Sequence, residues 1–197
     1  MASAAPIVGI LLAAGSSSRF GSDKLLHPLA DETPLGLAAA QRLRPACDRV
    51  LAVVRPGSDR LADLLAAEGF ELVASADARL GMGHSLAAGI RAAADAAGWL
   101  VALADMPYIA PASYGRVAGA LRAGGRIVVP EYRGRPGHPV GFAKEWGERL
   151  AALAGDEGAR RIVAAFPEAI VRCALDDPGI VRDVDQVADL TDRAQAR

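Results

Sequence analysis

The 197-residue chain contains two lysines, Lys24 and Lys144, and otherwise uses arginine as its long basic residue. Lys24 sits near the end of LLAAGSSSRFGSDKLL, Leu11 to Leu26, a run of small and hydroxyl residues that follows directly on an apolar segment and also carries Arg19. Small residues let backbone N–H groups approach an anion closely, and Arg19 and Lys24 supply charge for phosphate oxygens. The chemistry suggested is a phosphate cradle, with an ordinary βα loop as its alternative. It is not a P-loop, because five residues separate Gly15 from Gly21 and SDK follows where GK[ST] is required.

Three further stretches carry groups of the same kind. In WLVALADMPYI an apolar strand would deliver Asp105 at its carboxyl edge, suited to holding Mg²⁺ together with substrate phosphates. The competing role for Asp105 is to cap the helix that starts near Pro111. Asp185, in RDVDQVADL, is a second carboxylate of the same type, set in a polar segment that favours simple solvation. GMGHSLAAG, Gly81 to Gly89, places His84 and Ser85 at a helix start, where N–H groups and a hydroxyl can meet a base, ribose or phosphate. It is not a dinucleotide fingerprint, since Leu86 stands where a third glycine belongs. YRGRPGHPVGF offers Arg133, Arg135 and His138 on a mobile loop for an anionic acceptor, or else forms a surface hairpin with two solvated arginines. His27, just before Pro28, reads as structural.

These groups need a scaffold that gathers strand ends. Short apolar runs, Ile7 to Ala14, Arg49 to Arg55, Phe70 to Ser75, Trp99 to Asp105 and Arg126 to Tyr132, alternate with alanine-rich stretches of helical spacing that end at Gly or Pro. Such alternation predicts βαβ units, a mainly parallel sheet and an α/β fold, with ligands at the carboxyl ends of the strands. After Tyr132 the pattern changes to a Gly/Pro-rich segment, helical KEWGERLAALAG and EGARRIVAAF, strand-like AIVRCAL and a polar ending.

The chain is 52% hydrophobic and 5% aromatic, which suits packed helix and sheet layers, and its length suits one domain. A net charge of -1 argues against nucleic acid or an anionic membrane as the main partner, so any anion site must be local. No apolar run approaches the roughly 20 residues of a membrane span, and a cytoplasmic protein is expected. Cys47 and Cys173 lack ligand spacing and read as reduced structural thiols.

Taken in order, LLAAGSSSRFGSDKLLHPL, GMGHSLAAG, LADMPY, GRPGHPVGF and GDEGARRI resemble the MobA-like nucleotidyltransferases, most closely the molybdenum cofactor cytidylyltransferase branch. The resemblance runs from about residue 7 to 190 and implies one MobA-like domain over residues 1–197. The implied fold is the Rossmann-like three-layer α/β/α arrangement of the nucleotide-diphospho-sugar transferase type. By that likeness Leu12, Ala13, Ala14 and Gly15 line the base and ribose side, Arg19 and Lys24 hold the triphosphate, and Gly81, Gly83 and Ser85 close over the nucleotide. Asp105 binds Mg²⁺, Asp185 aligns with an acidic metal ligand, and Arg135, Gly137, His138 and Pro139 face the acceptor. The AA pair before Gly15 resembles the cytidylyl branch, whereas guanylyl-transferring relatives tend to carry GG, which favours CTP over GTP.

Three positions depart from the pattern. Phe20 stands where a methionine is usual, DETPLGLAAAQ is a loose match to a G-x-P-L-L region, and DVDQVADL lacks the Thr and Pro of DIDTPEDL. The implied reaction moves CMP from CTP to the terminal phosphate of molybdopterin, with pyrophosphate released and transient contact with a molybdoenzyme to follow. The alternatives are a guanylyl- or other NTP-transferase with a different phosphorylated acceptor, and a non-catalytic nucleotide-binding accessory protein for a molybdoenzyme.

Overall fold

The computed structural model describes residues 6–15, 23–156 and 158–190. Arg19 and Phe20 lie outside these residues.

Nearly continuous apolar runs form the central strands, as expected where both faces of a sheet are covered. Strand β1 (Ile7–Ala13) is flanked by β2 (Arg49–Val54) and β4 (Gly98–Leu103), both parallel to it, and β3 (Glu71–Ala74) extends the sheet beyond β2. Beyond β4 the direction changes. Strand β7 (Val140–Ala143) runs antiparallel to both β4 and β5 (Ile127–Tyr132), while β8 (Ile170–Ala174) pairs parallel with β5. The two-residue β6 (Arg135–Pro136) folds back on β5 through Arg133 and Gly134, whose φ angles are 50° and 76°. The tight hairpin, rather than a mobile loop, is the observed form of this segment.

Side chains alternate across β1 and define two cores. Ile7, Leu11 and Ala13 pack with helices α1 (Leu35–Leu43), α2 (Asp59–Ala67) and α4 (Pro111–Arg122) on one face. Val8 and Ile10 pack with α3 (Met82–Ala92), α5 (Gly147–Ala151) and α6 (Arg160–Ala165) on the other. Helix α3 buries Leu86 and Ile90, spaced four residues apart on one stripe. It stops before the full alanine-rich stretch is used, because the Ala93 carbonyl accepts from the Trp99 indole at 3.1 Å and from the Ala96 N–H at 3.1 Å. Likewise KEWGERLAALAG does not form one helix but a 3₁₀ turn followed by the short α5. Among the described residues no helix is long and apolar enough to cross a membrane.

Candidate active site

The parallel strands β1, β2 and β4 end on one edge of the sheet, and a cleft of about 1050 Å³ opens there. That volume is ample for a nucleotide. Leu12, Ala14 and Gly15 line it from the end of β1, Arg55 to Gly57 from the end of β2, and Leu103 and Asp105 from the end of β4. Gly81, Met82 and Ser85 at the start of α3, with Ala78 and Arg79 before it, form one wall; Lys24, Leu25, Asp156 and Asp185 complete the lining.

Lys24 and Asp105 meet on the floor of this cleft. The Lys24 Nζ lies 2.9 Å from Asp105 Oδ2 and 3.7 Å from Asp185 Oδ1. The lysine side chain is 10% exposed, against 27% for Asp105 and 54% for Asp185. A buried ammonium requires partners of this kind. Asp105 does not cap α4. That task falls to Asp177, whose Oδ2 accepts from the Ala110 N–H at 2.9 Å and from Ser113 Oγ at 2.6 Å. Asp105 is thereby free to face the cleft.

Asp185 reaches the site without the Thr and Pro turn chemistry that its segment lacks. The Val184 N–H donates to the Asp105 carbonyl at 2.9 Å, and Asp189 Oδ2 accepts from the N–H groups of Asp185 and Gln186, each at 2.8 Å. Asp189 thus reaches back from the 3₁₀ turn Val187–Leu190 to hold the two residues before it, in the manner of a capping carboxylate.

Not every expected residue faces the cleft. Ala13 points into the α1 side of the core, as strand alternation requires once Leu12 and Ala14 line the opening. Gly83 makes a different contact from the one expected. Its N–H donates to the Gly155 carbonyl at 2.8 Å, and a Cβ there would stand 2.8 Å from the Ala154 carbonyl oxygen. At Gly81, where φ is 121°, a Cβ would meet the Gly155 carbonyl carbon at 2.3 Å. These two glycines admit the loop around Gly155 against the start of α3. That loop carries Asp156 into the cleft. Ser85 is 4% exposed and lines the wall at the next turn of the helix.

The segment Arg135 to Pro139 lies outside the cleft lining. Arg135 is exposed, and Gly137 packs on the Ile180 carbonyl, which accepts from the His138 N–H at 2.8 Å. Yet the reversal of β7 gives this segment its place. Val140 pairs with Val101, so the residues just before β7 arrive on the same sheet edge as Asp105. Burial lowers the His138 pKa, opposed by the Val101 backbone and by the charges of Asp105 and Asp183. Its Nδ1 is buried without a hydrogen-bond partner.

Arg55, Arg79 and Asp156 are cleft residues that the sequence reading passed over. Arg55 closes the second apolar strand, so the rule that selected Asp105 applied to it equally. Its Nε donates to Ser58 Oγ at 3.1 Å, which orients the guanidinium.

Residues 9–171 match the MobA-like NTP transferase domain. The chain belongs to this family. MobA-like proteins are nucleotidyltransferases, and the mixed, mainly parallel sheet between helical layers is their Rossmann-like nucleotide-diphospho-sugar transferase fold. The chain is similar to purine catabolism protein PucB of Bacillus subtilis (strain 168), 32% identical over 166 residues that cover 80% of each protein. It is similar to nicotine blue oxidoreductase of Paenarthrobacter nicotinovorans, 30% identical over 92% of this chain and 93% of the relative. The crystal structure of Rv0371c from Mycobacterium tuberculosis H37Rv superposes with a TM-score of 0.84 at 30% identity, covering 95% of this chain and 96% of that one. A manganese complex of Rv0371c superposes at 0.74 with 27% identity over 88% of this chain and 89% of that one.

A divalent ion fits the MobA-like cleft by its donor set. Asp105 and Asp185 carry hard oxygen donors, and both stand beside the Lys24 ammonium. Among the described residues no group of three or more His, Cys, Asp or Glu could hold a metal unaided. Two carboxylates completed by substrate phosphates and water is the arrangement Mg²⁺ favours.

Proposed function

We propose that this protein transfers CMP from CTP to the terminal phosphate of molybdopterin, with Mg²⁺ as the metal and pyrophosphate as the second product. The observation that carries the reading is the meeting of Lys24, Asp105 and Asp185 on the floor of a cleft whose rim is Leu12, Ala14 and Gly15. The Ala13–Ala14 pair supports CTP over GTP, by resemblance to the cytidylyl branch.

The sheet order supports one direction for the substrates. Neighbouring strands stand about 4.8 Å apart, so Arg55 at the end of β2 and Asp105 at the end of β4 are separated by about 10 Å along the edge. The base and ribose take the β1 and β2 side with Leu12, Ala14, Gly15, Arg55 and Gly81, and the phosphates take the side of Lys24 and Asp105 towards β4. The acceptor approaches from the β7 side, past His138.

An oxygen of the acceptor phosphate attacks the α-phosphorus of CTP; the new P–O bond forms as the bond to the α,β-bridging oxygen breaks and pyrophosphate departs. A phosphate monoester has its second pKa near ~6, so the nucleophile is already a dianion at neutral pH and needs no protein base. Asp105 and Asp185 would hold the ion, which would supply charge neutralisation on the phosphates. Lys24 holds triphosphate oxygens, and Arg19 adds a second cation by the same family likeness. The protein contributes alignment of two anions and electrostatic stabilisation of the departing charge.

Pyrophosphate release from each of the four NTPs with Mg²⁺, in the presence and absence of molybdopterin, tests the reading. Release with CTP and molybdopterin together is expected. Release with GTP or with another phosphorylated acceptor reassigns the substrates within the family, and nucleotide binding with no release under any combination makes the protein an accessory binder.

A further inference from the structure

The geometry points to Asp156 as a residue that selects the base: its carboxylate accepts a hydrogen bond from the exocyclic amino group of cytosine, while Met82 lies against the ring. The inference rests on the reading of the cleft as a CTP site and adds to it a residue that makes the choice of pyrimidine.

A third carboxylate in a cleft for a triphosphate needs a reason. Asp105 and Asp185 stand beside Lys24, whereas Asp156 makes no ion pair or hydrogen bond with any described residue. Nor does it complete a metal site with them, since among the described residues no group of three or more His, Cys, Asp or Glu could hold an ion. A lone carboxylate repels an anionic ligand unless that ligand offers it a proton to accept. Its place is built by the backbone. Gly155 and Gly158, on either side of Asp156, have φ angles of 71° and 52°, and the Gly155 carbonyl accepts from the Gly83 N–H at 2.8 Å. Asp156 Oδ1 lies 2.5 Å from where a Cβ on Gly81 would stand, so the carboxylate is laid over the start of α3. Lys24 enters from the opposite layer, its neighbour Leu25 packing into the core of α1 and α2, while the loop of Asp156 follows α5. With the phosphates on the Lys24 side, Asp156 faces the nucleoside.

Met82 favours the base over the ribose as the group that Asp156 meets. It lines the cleft next to Gly81, is 46% exposed, and its Sδ lies 3.3 Å from where a Cβ on Gly158 would stand. A thioether exposed beside a carboxylate suits a heterocycle, with the ring on sulfur and the polar edge on oxygen; ribose hydroxyls would satisfy Asp156 and leave Met82 uncovered. An ionised carboxylate only accepts, so it pairs with the amino group of cytosine and opposes the carbonyl oxygen that uracil carries in the same position.

Calorimetric titration of the full-length protein with Mg²⁺ and no acceptor tests the assignment. The ligands are CTP, UTP, GTP, 2′-deoxy-CTP and the triphosphate of pyrimidin-2-one riboside, which is cytidine without its amino group; the proteins are wild type, Asp156→Ala and Asp156→Asn. Affinity ratios within one protein cancel the general gain that follows from removing a negative charge, and any difference in the folded fraction. Wild type should favour CTP over both UTP and the deamino analogue by at least about tenfold. In Asp156→Ala both ratios should fall to within about twofold of unity, because the amino group then has no partner to lose. Asp156→Asn keeps one carbonyl acceptor and gains an amide donor, so it should still prefer CTP to the deamino analogue but no longer to UTP. A wild type that binds CTP and UTP alike, or an Asp156→Ala that keeps the preference for CTP, overturns the inference and leaves the nucleotide cleft standing. So does an Asp156→Ala that instead loses only a preference for CTP over its 2′-deoxy form, which would give Asp156 to the ribose. A wild type that prefers GTP, or binds neither pyrimidine triphosphate, rejects the CTP reading and the inference with it.

Discussion

The backbone N–H of Val184 donates to the carbonyl of Asp105 at 2.9 Å, so the chain segment carrying one cleft carboxylate is pinned to the residue that carries the other. The pairing is continued by Asp189, whose carboxylate closes the turn through the N–H groups of Asp185 and Gln186. Asp189→Ala removes both of those bonds at an exposed turn, so the fold should be little affected. The position of Asp185 should not survive. Partners that orient a ligand commonly cost about 10–100-fold in metal affinity when removed. The Mg²⁺ concentration for half-maximal pyrophosphate release should therefore rise at least several-fold in Asp189→Ala with little change in melting temperature; an unchanged Mg²⁺ requirement would detach the turn from the metal.

Arg55 should act on nucleotide affinity rather than on the bond-making step. It stands at the end of β2, two strands from Asp105, and is oriented by Ser58. Contacts made equally in ground and transition states change KM and leave kcat alone. Arg55→Ala should raise the KM for the nucleotide about tenfold, with kcat within about twofold of wild type. A fall in kcat at constant KM would move Arg55 to the reacting end of the cleft.

Much of this architecture is legible in the residues themselves. The five apolar runs became β1 to β5 with ends shifted by a residue or two; β1, β2 and β4 are buried on both faces and so must be apolar throughout, whereas β3 lies at the sheet edge and is largely exposed. Asp105 stood out because a charge at the end of such a run has few structural uses, and Lys24 because it is one of two lysines, set in a loop of small and hydroxyl residues. The direction of β7 was not legible: four residues, VGFA, bordered by Gly and Pro, carry no sign of whether they run with or against β4. That reversal is what brings His138 to the edge of Asp105. Nor could the roles of Gly81 and Gly83 be read locally, since the backbone they accommodate lies some seventy residues away, around Gly155. Asp189 was equally hidden, an ordinary acidic residue until its N–H partners are known.

The two glycines define a third test. A methyl group at Gly81 would overlap the Gly155 backbone and would also impose an unfavourable positive φ. Gly81→Ala should destabilise the protein by about 1–3 kcal/mol, in the range of overpacking substitutions, as read from denaturant unfolding. It should also release the loop that carries Asp156, so proteolytic cleavage around residues 153–158 should quicken while the distant strands β5 and β8 stay protected. Cleavage at the wild-type rate would show that the loop holds its place by other contacts.

Two buried acidic groups give the chain a pH dependence on the alkaline side. The chain carries two lysines, three tyrosines and two cysteines. Burial pushes the Cys47 thiol from 9.0 up to about 12, helped by Asp48 and opposed by Arg122, and burial together with Cys47 also raises Tyr114. Both groups keep their protons in the folded state at a pH where the unfolded chain has lost them. Their contribution is complete below the unfolded pKa and drains away as pH rises towards the folded one, at up to about 1.4 kcal/mol per pH unit for each group. Stability measured by denaturant at pH 8, 9.5 and 10.5 should fall steadily. Cys47→Ala will lower the absolute value, since Cys47 packs against the core, but it should flatten the slope from pH 9 to 10, where Cys47 ionises in the unfolded chain before Tyr114 does. A slope identical to wild type would mean that the folded protein ionises Cys47 as readily as the unfolded chain does.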